Sequence, residues 1–453
     1  MITTNCLDTK NKRLNMIDEN YKAKLEDLDL EKYTIAEYLF ESIVDPEKAV
    51  TDLCQEQATA QHRRSFVEED TRPKYGAKVI ELEVLEKDAE PKFVFEFTPK
   101  GKKVSLCKVK IAQPWINFGT KIPNMLSALV GEGIYYVDGI NSIKIIDIEF
   151  PKSFLKEFNG PKFGVKGIRK KLQVKERPLV CSVVKPNIGL TPEQFAEQAY
   201  KGLVGGLDMV KDDEMIADTE YSPLKKRLEL VMEKLYKAQD KTGEKKAFLA
   251  NITTEVSQME ELYDFVAEYK GDAFGLLSTM PVGLSACRWI MDKRKFPVIA
   301  HFPFIAPFTR HEFFGMSYKL VTKLQRMVGY DGIIMPGFGS RMFTSHEELR
   351  DNIEMCFEEN GLEKTLPAPG GGIKPELVPQ MYKECQTKDF LIITGRGVYK
   401  HPLGPEAGAK SFRQAIDAVE KGKTIEEYAE NHEELKKALE WFKKFETHTA
   451  PIP

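Results

Sequence analysis

Residues 205–214 hold the combination of side chains in this sequence that is most suited to chemistry. They read Gly-Gly-Leu-Asp-Met-Val-Lys-Asp-Asp-Glu, so an apolar run ends in Lys211, and Asp213 and Glu214 follow two and three residues later. The run is short enough to be a buried strand, and its charged residues gather at its C-terminal end. By composition alone, the same segment fits a solvated turn equally well.

Eight short apolar runs rich in branched residues recur in the second half of the chain. They are Leu179–Val184, Leu207–Val210, Ala247–Ile252, Ala273–Leu277, Pro297–His301, Gly332–Met335, Thr365–Ala368 and Phe390–Ile393. Amphipathic stretches of helical length lie between them, for example Thr191–Leu203, Pro223–Lys241 and Phe314–Val328. Successive strand–helix units predict a closed parallel barrel, with an open doubly wound sheet as the alternative.

The unusual residues stand where these runs end. Lys185 follows the first run, Asn251 and His301 stand at the ends of two others, and glycine clusters follow further runs at 337–339, 370–372 and 395–397. Strands of a parallel barrel end at one rim, where active sites are built. A rim lysine can also simply extend into solvent, and a single histidine at a strand end can be structural. The convergence of these residue types on one rim nevertheless favours an enzyme.

The first part of the chain has a different pattern. Strands are predicted at Tyr33–Glu41, Ala77–Leu85, Phe93–Phe97, Val104–Ile111 and Ile143–Phe150, with helices at Pro46–Ala60 and Pro123–Val130. One sheet with helices on one face describes an α+β domain. We therefore divide the chain into an arm at 1–30, an α+β domain at 31–155 and a barrel domain at 156–453, whose tail after Thr424 is a charged surface helix.

Composition excludes several classes of protein. A net charge of −3 gives no reason to expect nucleic acid or an anionic membrane as a partner. The N-terminus lacks the apolar core of a signal peptide, and no apolar run has the length of a membrane span. The seven cysteines are scattered and form no CxxC pair, which favours a reducing cytoplasm.

Residues 205–214 resemble the metal-site segment of the RuBisCO large-subunit superfamily. The resemblance implies that carbon dioxide carbamylates Lys211, and that the carbamate, Asp213 and Glu214 then bind Mg²⁺, a hard cation that prefers oxygen ligands. Other motifs of the family follow in the same order from about residue 30 to about residue 420. The fold that this family implies is a C-terminal (β/α)8 TIM barrel preceded by an α+β, ferredoxin-like N-terminal domain.

Several further motifs match the family's active site. Lys185 in CSVVKPNIGL matches a lysine that assists enolisation, and His301 in VIAHFPFIAPF matches an active-site histidine. The segments PAPGGGIKPE and TGRGVYKHPLGPEAGA resemble two loops that bind a substrate phosphate through backbone N–H groups. These loops contribute Gly370, Gly371, Gly372, Gly395, Arg396 and Gly397. Arg396, usually glycine in the carboxylases, either contacts the phosphate or faces solvent.

The N-terminal domain also carries matching residues. Glu56 and Asn124 correspond to residues that reach the active site of the partner subunit in the family, which implies a homodimer with shared sites. Lys121 is a candidate acid/base, although an exposed lysine at a helix start is an equally good interpretation. Glu132 stands where the methionine-salvage enolases of the superfamily carry a general-base lysine, which disfavours that activity.

Other positions depart from the carboxylases. Asn187, Val183, Phe302 and Ile334 replace a lysine, a threonine, a phosphate-binding arginine and a histidine of the family pattern. The loop MPGFGSRMFTSHEE has no lysine where the carboxylases carry a mobile lid lysine, and the guanidinium of Arg341 is no simple replacement. These departures predict a RuBisCO-like protein that does not fix carbon dioxide.

The expected activity is proton transfer on a phosphorylated ketose. The segments EQATAQ, KIPNMLSALVGEG and HFPFIA most resemble the photosynthetic-bacterial branch of the RuBisCO-like proteins, which implies isomerisation of 5-methylthioribulose 1-phosphate in methionine and sulfur salvage. The alternatives are enolisation of 2,3-diketo-5-methylthiopentyl 1-phosphate and decarboxylation or transcarboxylation of a sugar-acid phosphate. A non-catalytic relative that only binds a ligand is the alternative of another class.

Overall fold

The computed structural model describes residues 17, 19–61, 69–135, 137–269, 271–339 and 342–445 of the chain. The chain divides into two compact units. One comprises Met1–Phe158 and Phe304–Val321, and the other comprises Asn159–Pro303 and Thr322–Pro453. Most of the predicted N-terminal arm, residues 1–16 and 18, lies outside the described residues. The grouping of Phe304–Val321 with the N-terminal part of the chain was not indicated by the sequence pattern.

The N-terminal unit is built on a five-stranded sheet. Its strands are β1 (Tyr33–Ser42), β2 (Lys78–Ala89), β3 (Val104–Pro114), β4 (Ile140–Glu149) and the short β10 (Gly315–Met316), in the order β10-β4-β1-β3-β2. The first four strands pair antiparallel, and β10 pairs parallel with β4. The helices are Pro46–Glu56, Arg72–Tyr75, Ile122–Val130, Lys152–Leu155 and Ala306–Thr309. The βαββαβ order of its main elements is ferredoxin-like, as predicted.

The prediction of a strand at Phe93–Phe97 is wrong. A buried carboxylate captures this segment instead, because Glu41 accepts hydrogen bonds from the N–H groups of Lys92 and Phe93. A local turn follows, in which the Phe95 N–H donates to Thr98 Oγ1 at 3.0 Å and the Thr98 N–H donates to Phe95 O at 3.0 Å. Backbone groups that are satisfied in this way are not free to pair with a neighbouring strand.

The second unit is a closed barrel of eight parallel strands. In chain order they are β5 (Leu179–Val183), β6 (Met209–Lys211), β7 (Ala247–Asn251), β8 (Ala273–Ser278), β9 (Val298–His301), β11 (Gly332–Pro336), β12 (Leu366–Gly370) and β13 (Leu391–Thr394). Each strand pairs with the next, β9 pairs with β11, and β13 closes the ring on β5. Buried apolar residues such as Cys181, Met209, Leu249 and Phe274 fill the interior. The predicted TIM barrel is confirmed.

The helices of this unit pack around the barrel. They are Gly164–Leu172, Pro192–Val204, Leu224–Thr242, Val256–Ala267, Thr279–Val282, Leu284–Met291, Tyr318–Val328, His346–Phe357, Val378–Cys385, Arg396–Tyr399, Pro405–Glu420, Ile425–Ala429 and Glu433–Phe445. The last of them is amphipathic, with Leu435, Ala438 and Phe442 buried. In the described part of the chain, no helix is both long enough and apolar enough to cross a membrane.

Buried charges hold the elements of the barrel together at two places. At the start of β11, Asp331 accepts hydrogen bonds from the N–H groups of Phe163, Gly164 and Val298 at 2.6, 2.9 and 3.1 Å. At the carboxyl end of β6, directly after Lys211, Asp212 pairs with Arg227 of the helix Leu224–Thr242. Satisfied in this way, each buried carboxylate ties neighbouring elements together.

Candidate active site

A cavity of about 230 Å³ lies at the carboxyl ends of the barrel strands. Ten of the predicted site residues line it: Lys185, Lys211, Asp213, Glu214, His301, Gly370, Gly371, Gly372, Gly395 and Arg396. The positions that depart from the carboxylase pattern, Val183, Asn187, Phe302 and Ile334, line the same cavity. The departures therefore change the chemistry of the site itself.

The acidic side of the cavity is formed by the end of β6. Lys211 is 1% exposed, and its Nζ donates to the carbonyl of Asp212 at 2.7 Å. Asp213 is buried, and its Oδ1 accepts the Met215 N–H at 3.2 Å, which fixes the turn after the strand. The side chain of Glu214 is partly exposed to the cavity. Two carboxylates and one lysine thus face a single space.

Buried residues next to the acidic side of the cavity hold its backbone in place. Arg227 Nε and Nη2 donate to the two carboxylate oxygens of Asp212 at 2.8 and 3.0 Å, and both side chains are fully buried. Asn251, at the end of β7, donates from its side-chain amide to the carbonyls of Asp213 and Glu214 at 3.2 and 3.4 Å. These contacts fix the backbone that carries the two acids.

His301 enters the cavity beside Glu214. The N–H of Phe302 donates to His301 Nδ1 at 2.9 Å, so the proton of the neutral ring is on Nε2. That nitrogen lies 3.4 Å from Glu214 Oε2. Burial, followed by the nearby charge of Lys211, lowers the pKa of His301 well below its usual value. The imidazole is therefore a neutral hydrogen-bond donor near neutral pH.

Lys185 stands between the two sides of the cavity. Its Nζ lies 3.5 Å from Asp213 Oδ2 and donates to the side-chain oxygen of Asn187. Burial lowers the pKa of Lys185, while the charge of Asp213 acts in the opposite direction. A Cβ at position 395 would lie 3.1 Å from Lys185 Cε, so Gly395 leaves the space that this side chain occupies.

The opposite side of the cavity is a glycine loop after β12. Gly371 and Gly372 have φ angles of +98° and +75°, which L side chains rarely adopt. Thr394 Oγ1 donates to the carbonyl of Ile373 at 2.8 Å and so ties this loop to β13, where Arg396 begins a short helix. Partly buried backbone without side chains beside a guanidinium is suited to binding an anion.

The loop after β11 packs directly on this glycine loop. The Gly337 N–H donates to the carbonyl of Gly370 at 2.6 Å, and a Cβ at position 339 would lie 2.2 Å from the carbonyl oxygen of Gly371. Glycine is therefore required where the two backbones meet. Arg341 lies outside the described residues.

The donor set of the acidic side fits Mg²⁺ in one state of Lys211. Within the described ranges, no three His, Cys, Asp or Glu side chains come together in a group that could hold a metal. A cation here therefore needs a ligand from Lys211 besides the carboxylates of Asp213 and Glu214. Carbamylation supplies oxygen atoms in place of a cationic amine, and three oxygen-bearing groups leave coordination positions open to a substrate.

Some predicted residues are not part of this cavity. Gly397 is buried, and a Cβ there would lie 2.6 Å from the carbonyl oxygen of Ile373, so its role is close packing. Glu56 ends the helix Pro46–Glu56, and Lys121 and Asn124 are exposed at the start of the helix Ile122–Val130. These three residues belong to the N-terminal unit, as does the exposed Glu132.

The sequence reasoning did not assign roles to Asp212, Arg227 and Asn251. One signal was available, because Arg227 follows Leu224 by three residues and precedes Val231 by four. That spacing places an arginine on the apolar face of an amphipathic helix, where a charged residue requires a buried partner.

The chain has a ferredoxin-like N-terminal unit and an eight-stranded parallel barrel that carries lysines, acids and a histidine at its rim. These features define a two-unit TIM-barrel protein. The family model of the ribulose bisphosphate carboxylase large chain, catalytic domain, matches residues 164–442. A ribulose bisphosphate carboxylase-like protein from Allochromatium vinosum is 46% identical over 92% of this chain and 91% of its own length. Another from Chlorobaculum tepidum is 45% identical over 92% of this chain and 96% of its own length.

Solved structures agree with the sequence relatives. The octameric ribulose-1,5-bisphosphate carboxylase/oxygenase of Pyrococcus horikoshii in complex with sulfate superposes with a TM-score of 0.84 at 29% identity, covering 96% of this chain and 97% of that chain. The chain belongs to the RuBisCO large-chain family, and the two relatives named above are RuBisCO-like proteins. Members of this superfamily are enzymes.

Proposed function

We propose that this protein catalyses proton transfer on a ketose monophosphate without fixing carbon dioxide, and that its reaction is the isomerisation of 5-methylthioribulose 1-phosphate. The observation that carries the proposal is one cavity with two unlike sides. Asp213 and Glu214 stand at the acidic side, the glycine loop and Arg396 stand at the other, and Lys185 lies between them.

The two sides orient a substrate that has one phosphate. The backbone N–H groups at Gly371 and Gly372 and the guanidinium of Arg396 bind the phosphate. The carbonyl then lies toward Asp213 and Glu214, where bound Mg²⁺ supplies electrostatic stabilisation of negative charge on the substrate oxygens. Phe302 stands where the family pattern has a second phosphate-binding arginine, so one phosphate is sufficient for this site.

Lys185 is the proton carrier in this proposal. In its neutral form, the amine removes the carbon-bound proton next to the carbonyl. The hydroxyl proton of that carbon passes to the former carbonyl oxygen, and the ammonium returns the first proton to the neighbouring carbon of the enediolate. Burial favours the neutral form because it lowers the pKa of Lys185. His301 donates from Nε2 to an oxygen at the reacting end. Carbamylation of Lys211 makes activity depend on carbon dioxide as well as on Mg²⁺.

The same site is unsuited to carboxylation. The loop after β11 contains glycines that pack on the Gly370–Gly372 segment, and no lysine occurs between Gly337 and Phe343. Asn187 accepts a hydrogen bond from Lys185 at the position of a second lysine in the carboxylases. With ribulose bisphosphate and labelled bicarbonate, we expect no acid-stable product above a blank without enzyme, and incorporation of label would contradict this interpretation of the loop.

The central experiment follows 5-methylthioribulose 1-phosphate in deuterated water by proton and phosphorus NMR. With Mg²⁺ and bicarbonate, we expect a new ketose phosphate that carries deuterium at the former carbonyl carbon. Lys211→Ala and exhaustive chelation should each abolish turnover, while Lys175→Ala, at an exposed position outside the cavity, should not. No exchange and no product from wild-type enzyme would exclude the isomerase, and conversion of only the 2,3-diketo-5-methylthiopentyl phosphate would identify an enolase instead.

A further inference from the structure

The barrel unit contains a second cavity, of about 610 Å³, beside the one that the proposed reaction uses. We call it the neighbouring cavity. It lies between the segment that follows β5, the helix Pro192–Val204 and the helices Arg396–Tyr399 and Pro405–Glu420. Its volume lies in the range of small-molecule sites, which is about 300–1,000 Å³. The glycine loop after β12 and the acids after β6 line the barrel cavity and do not line this one.

Specific contacts fix the helices that form the walls of the neighbouring cavity. The Tyr399 hydroxyl donates to the backbone carbonyl of Gln198 at 3.2 Å, and both residues line the cavity. A Cβ at position 205, directly after the helix Pro192–Val204, would lie 2.2 Å from the carbonyl oxygen of Glu406. Gly205 therefore permits a close approach between two of the helices. Walls that are fixed in this way need little rearrangement when a ligand binds.

The lining of the neighbouring cavity is positively charged. Lys185, Arg396 and Lys400 contribute to it, and none of the described residues that line it is acidic. Lys185 has a carboxylate nearby, since its Nζ lies 3.5 Å from Asp213 Oδ2. Arg396 is exposed, and its guanidinium pairs with no side chain in the described part of the chain. An anion in this cavity would compensate the excess of positive charge.

Two side-chain amides add uncharged hydrogen-bonding groups to the same lining. The Oδ1 of Asn187 accepts a hydrogen bond from Lys185, so its Nδ2 group remains as a donor. Gln198 is partly buried, and its side-chain amide has no hydrogen-bond partner among the described residues. An amide both donates and accepts, as a hydroxyl group does. The lining therefore suits a molecule that carries hydroxyl groups as well as a negative charge.

We propose that the neighbouring cavity is a second binding site, separate from the barrel cavity, for a small phosphorylated polyol. The guanidinium of Arg396 and the ammonium of Lys400 bind the phosphate, because a planar fork and a point charge together match its several oxygen atoms. The amides of Asn187 and Gln198 bind hydroxyl groups of the same molecule. Arg396 lines both cavities, so it contributes to phosphate binding in each of them.

The test is equilibrium dialysis of the full chain against radiolabelled glycerol 3-phosphate without Mg²⁺. The wild-type chain should bind two molecules, one in each cavity. Lys400→Glu reverses a charge that lines only the neighbouring cavity, and it should weaken one of the two sites by at least about tenfold. Arg396→Gly should weaken both sites. The matched control is Lys201→Glu, the same change of charge at a position outside both cavities, which should leave both sites intact.

Propyl phosphate, which lacks the two hydroxyl groups, gives the second arm. Gln198→Leu should weaken glycerol 3-phosphate in the neighbouring cavity about fivefold and leave propyl phosphate unchanged. Equal weakening of both phosphates would overturn the assignment of a polyol. Equal binding to Lys400→Glu and Lys201→Glu would overturn the second site altogether. A single site in the wild-type chain that Lys400→Glu removes would support the neighbouring cavity and would count against phosphate binding in the barrel cavity.

Discussion

Arg396 is the residue that most distinguishes the side of the barrel cavity formed by the glycine loop from the carboxylase pattern. It begins the short helix Arg396–Tyr399 directly after Gly395, and it lines the cavity together with the glycine loop. It also lines a neighbouring cavity of about 610 Å³ with Lys185 and Asn187. An exposed guanidinium at this place is free to form a forked, charge-assisted contact with a phosphate.

We predict that Arg396→Gly raises the KM for the phosphorylated substrate by about tenfold and changes kcat little, because the phosphate contact is the same in the ground state and the transition state. Arg396→Lys should give an intermediate KM, since an ammonium keeps the charge without the fork. Steady-state kinetics measure both parameters, with Lys175→Ala as the control. An unchanged KM in Arg396→Gly would mean that the side chain faces solvent.

At the scale of elements, the pair Asp212–Arg227 connects the end of β6 to the helix Leu224–Thr242. Both side chains are fully buried, and the metal-ligand candidates Asp213 and Glu214 follow Asp212 directly in the sequence. Burial raises the pKa of Asp212, and Arg227 acts in the opposite direction. Removal of one partner leaves the other as an uncompensated buried charge, which is more unfavourable than removal of both.

We predict that Arg227→Met lowers the free energy of unfolding by about 3–5 kcal/mol. The double variant Asp212→Leu with Arg227→Met should lose less than the sum of the two single variants, as a double-mutant cycle in urea would show. The control is Lys237→Met on the same helix, whose exposed pair with Glu233 should contribute below about 1 kcal/mol. Additive losses would contradict a direct coupling between the two buried groups.

The buried carboxyl of Asp331 makes the stability of the folded chain depend on pH. It is buried at the start of β11, and burial raises its pKa to about 6 although three backbone N–H groups donate to it. A carboxyl with a raised pKa binds a proton in the folded state at pH values where the unfolded chain has released it. Its contribution to stability is therefore greatest below about pH 4, falls as the pH rises through about 6, and is constant above about pH 7.

We predict that this carboxyl lowers the free energy of unfolding by about 2 kcal/mol between pH 4 and pH 6, which is the larger part of the roughly 3 kcal/mol that its whole titration contributes. Asp331→Asn cannot ionise, so the difference in stability between it and the wild-type protein should change by that amount across the window. Urea denaturation at several pH values measures the difference, with Asp240→Asn at an exposed helix position as the control. A difference that is constant with pH would show that Asp331 keeps its ordinary pKa.

At the scale of the whole molecule, the candidate residues are divided between two units of the chain. Lys185, Lys211 and His301 belong to the barrel, whereas Glu56 and Asn124 belong to the N-terminal unit. The resemblance to RuBisCO implies that the N-terminal residues complete the site of a partner subunit. A homodimer with two shared sites is therefore the assembly that we propose.

We predict that Asn124→Ala and Lys211→Ala, each inactive alone, restore activity when they are co-expressed. Random pairing makes about half of the dimers mixed, and one of the two sites in a mixed dimer carries no substitution, so about a quarter of wild-type activity is expected. The control mixes Lys185→Ala with Lys211→Ala, both in the barrel, and should stay inactive. If both single variants are dimeric and inactive but their mixture shows no rescue, the N-terminal residues serve their own subunit.

Much of the barrel could be predicted from the sequence because parallel strands buried on both faces appear as continuous apolar runs. All eight predicted runs overlap the observed strands. The prediction of a strand at Phe93–Phe97 failed because Glu41, about fifty residues earlier in the chain, captures its backbone. The strand β10 was missed for a similar reason, since its two residues have no pattern of their own and pair only with β4.

The sequence by itself determined which residue types stand at the strand ends, because strand length, apolar patterning and glycine positions are local properties. Lys211, Asp213, Glu214 and the glycine loop were located at strand ends in this way, and the resemblance to RuBisCO supplied the roles expected of them. Only the tertiary structure decided that Asp212 pairs with Arg227 and that the proton of neutral His301 is on Nε2. These features depend on burial and on which groups meet in the folded chain. The helical spacing around Arg227 indicates that this residue needs a buried partner, but no local pattern identifies the partner.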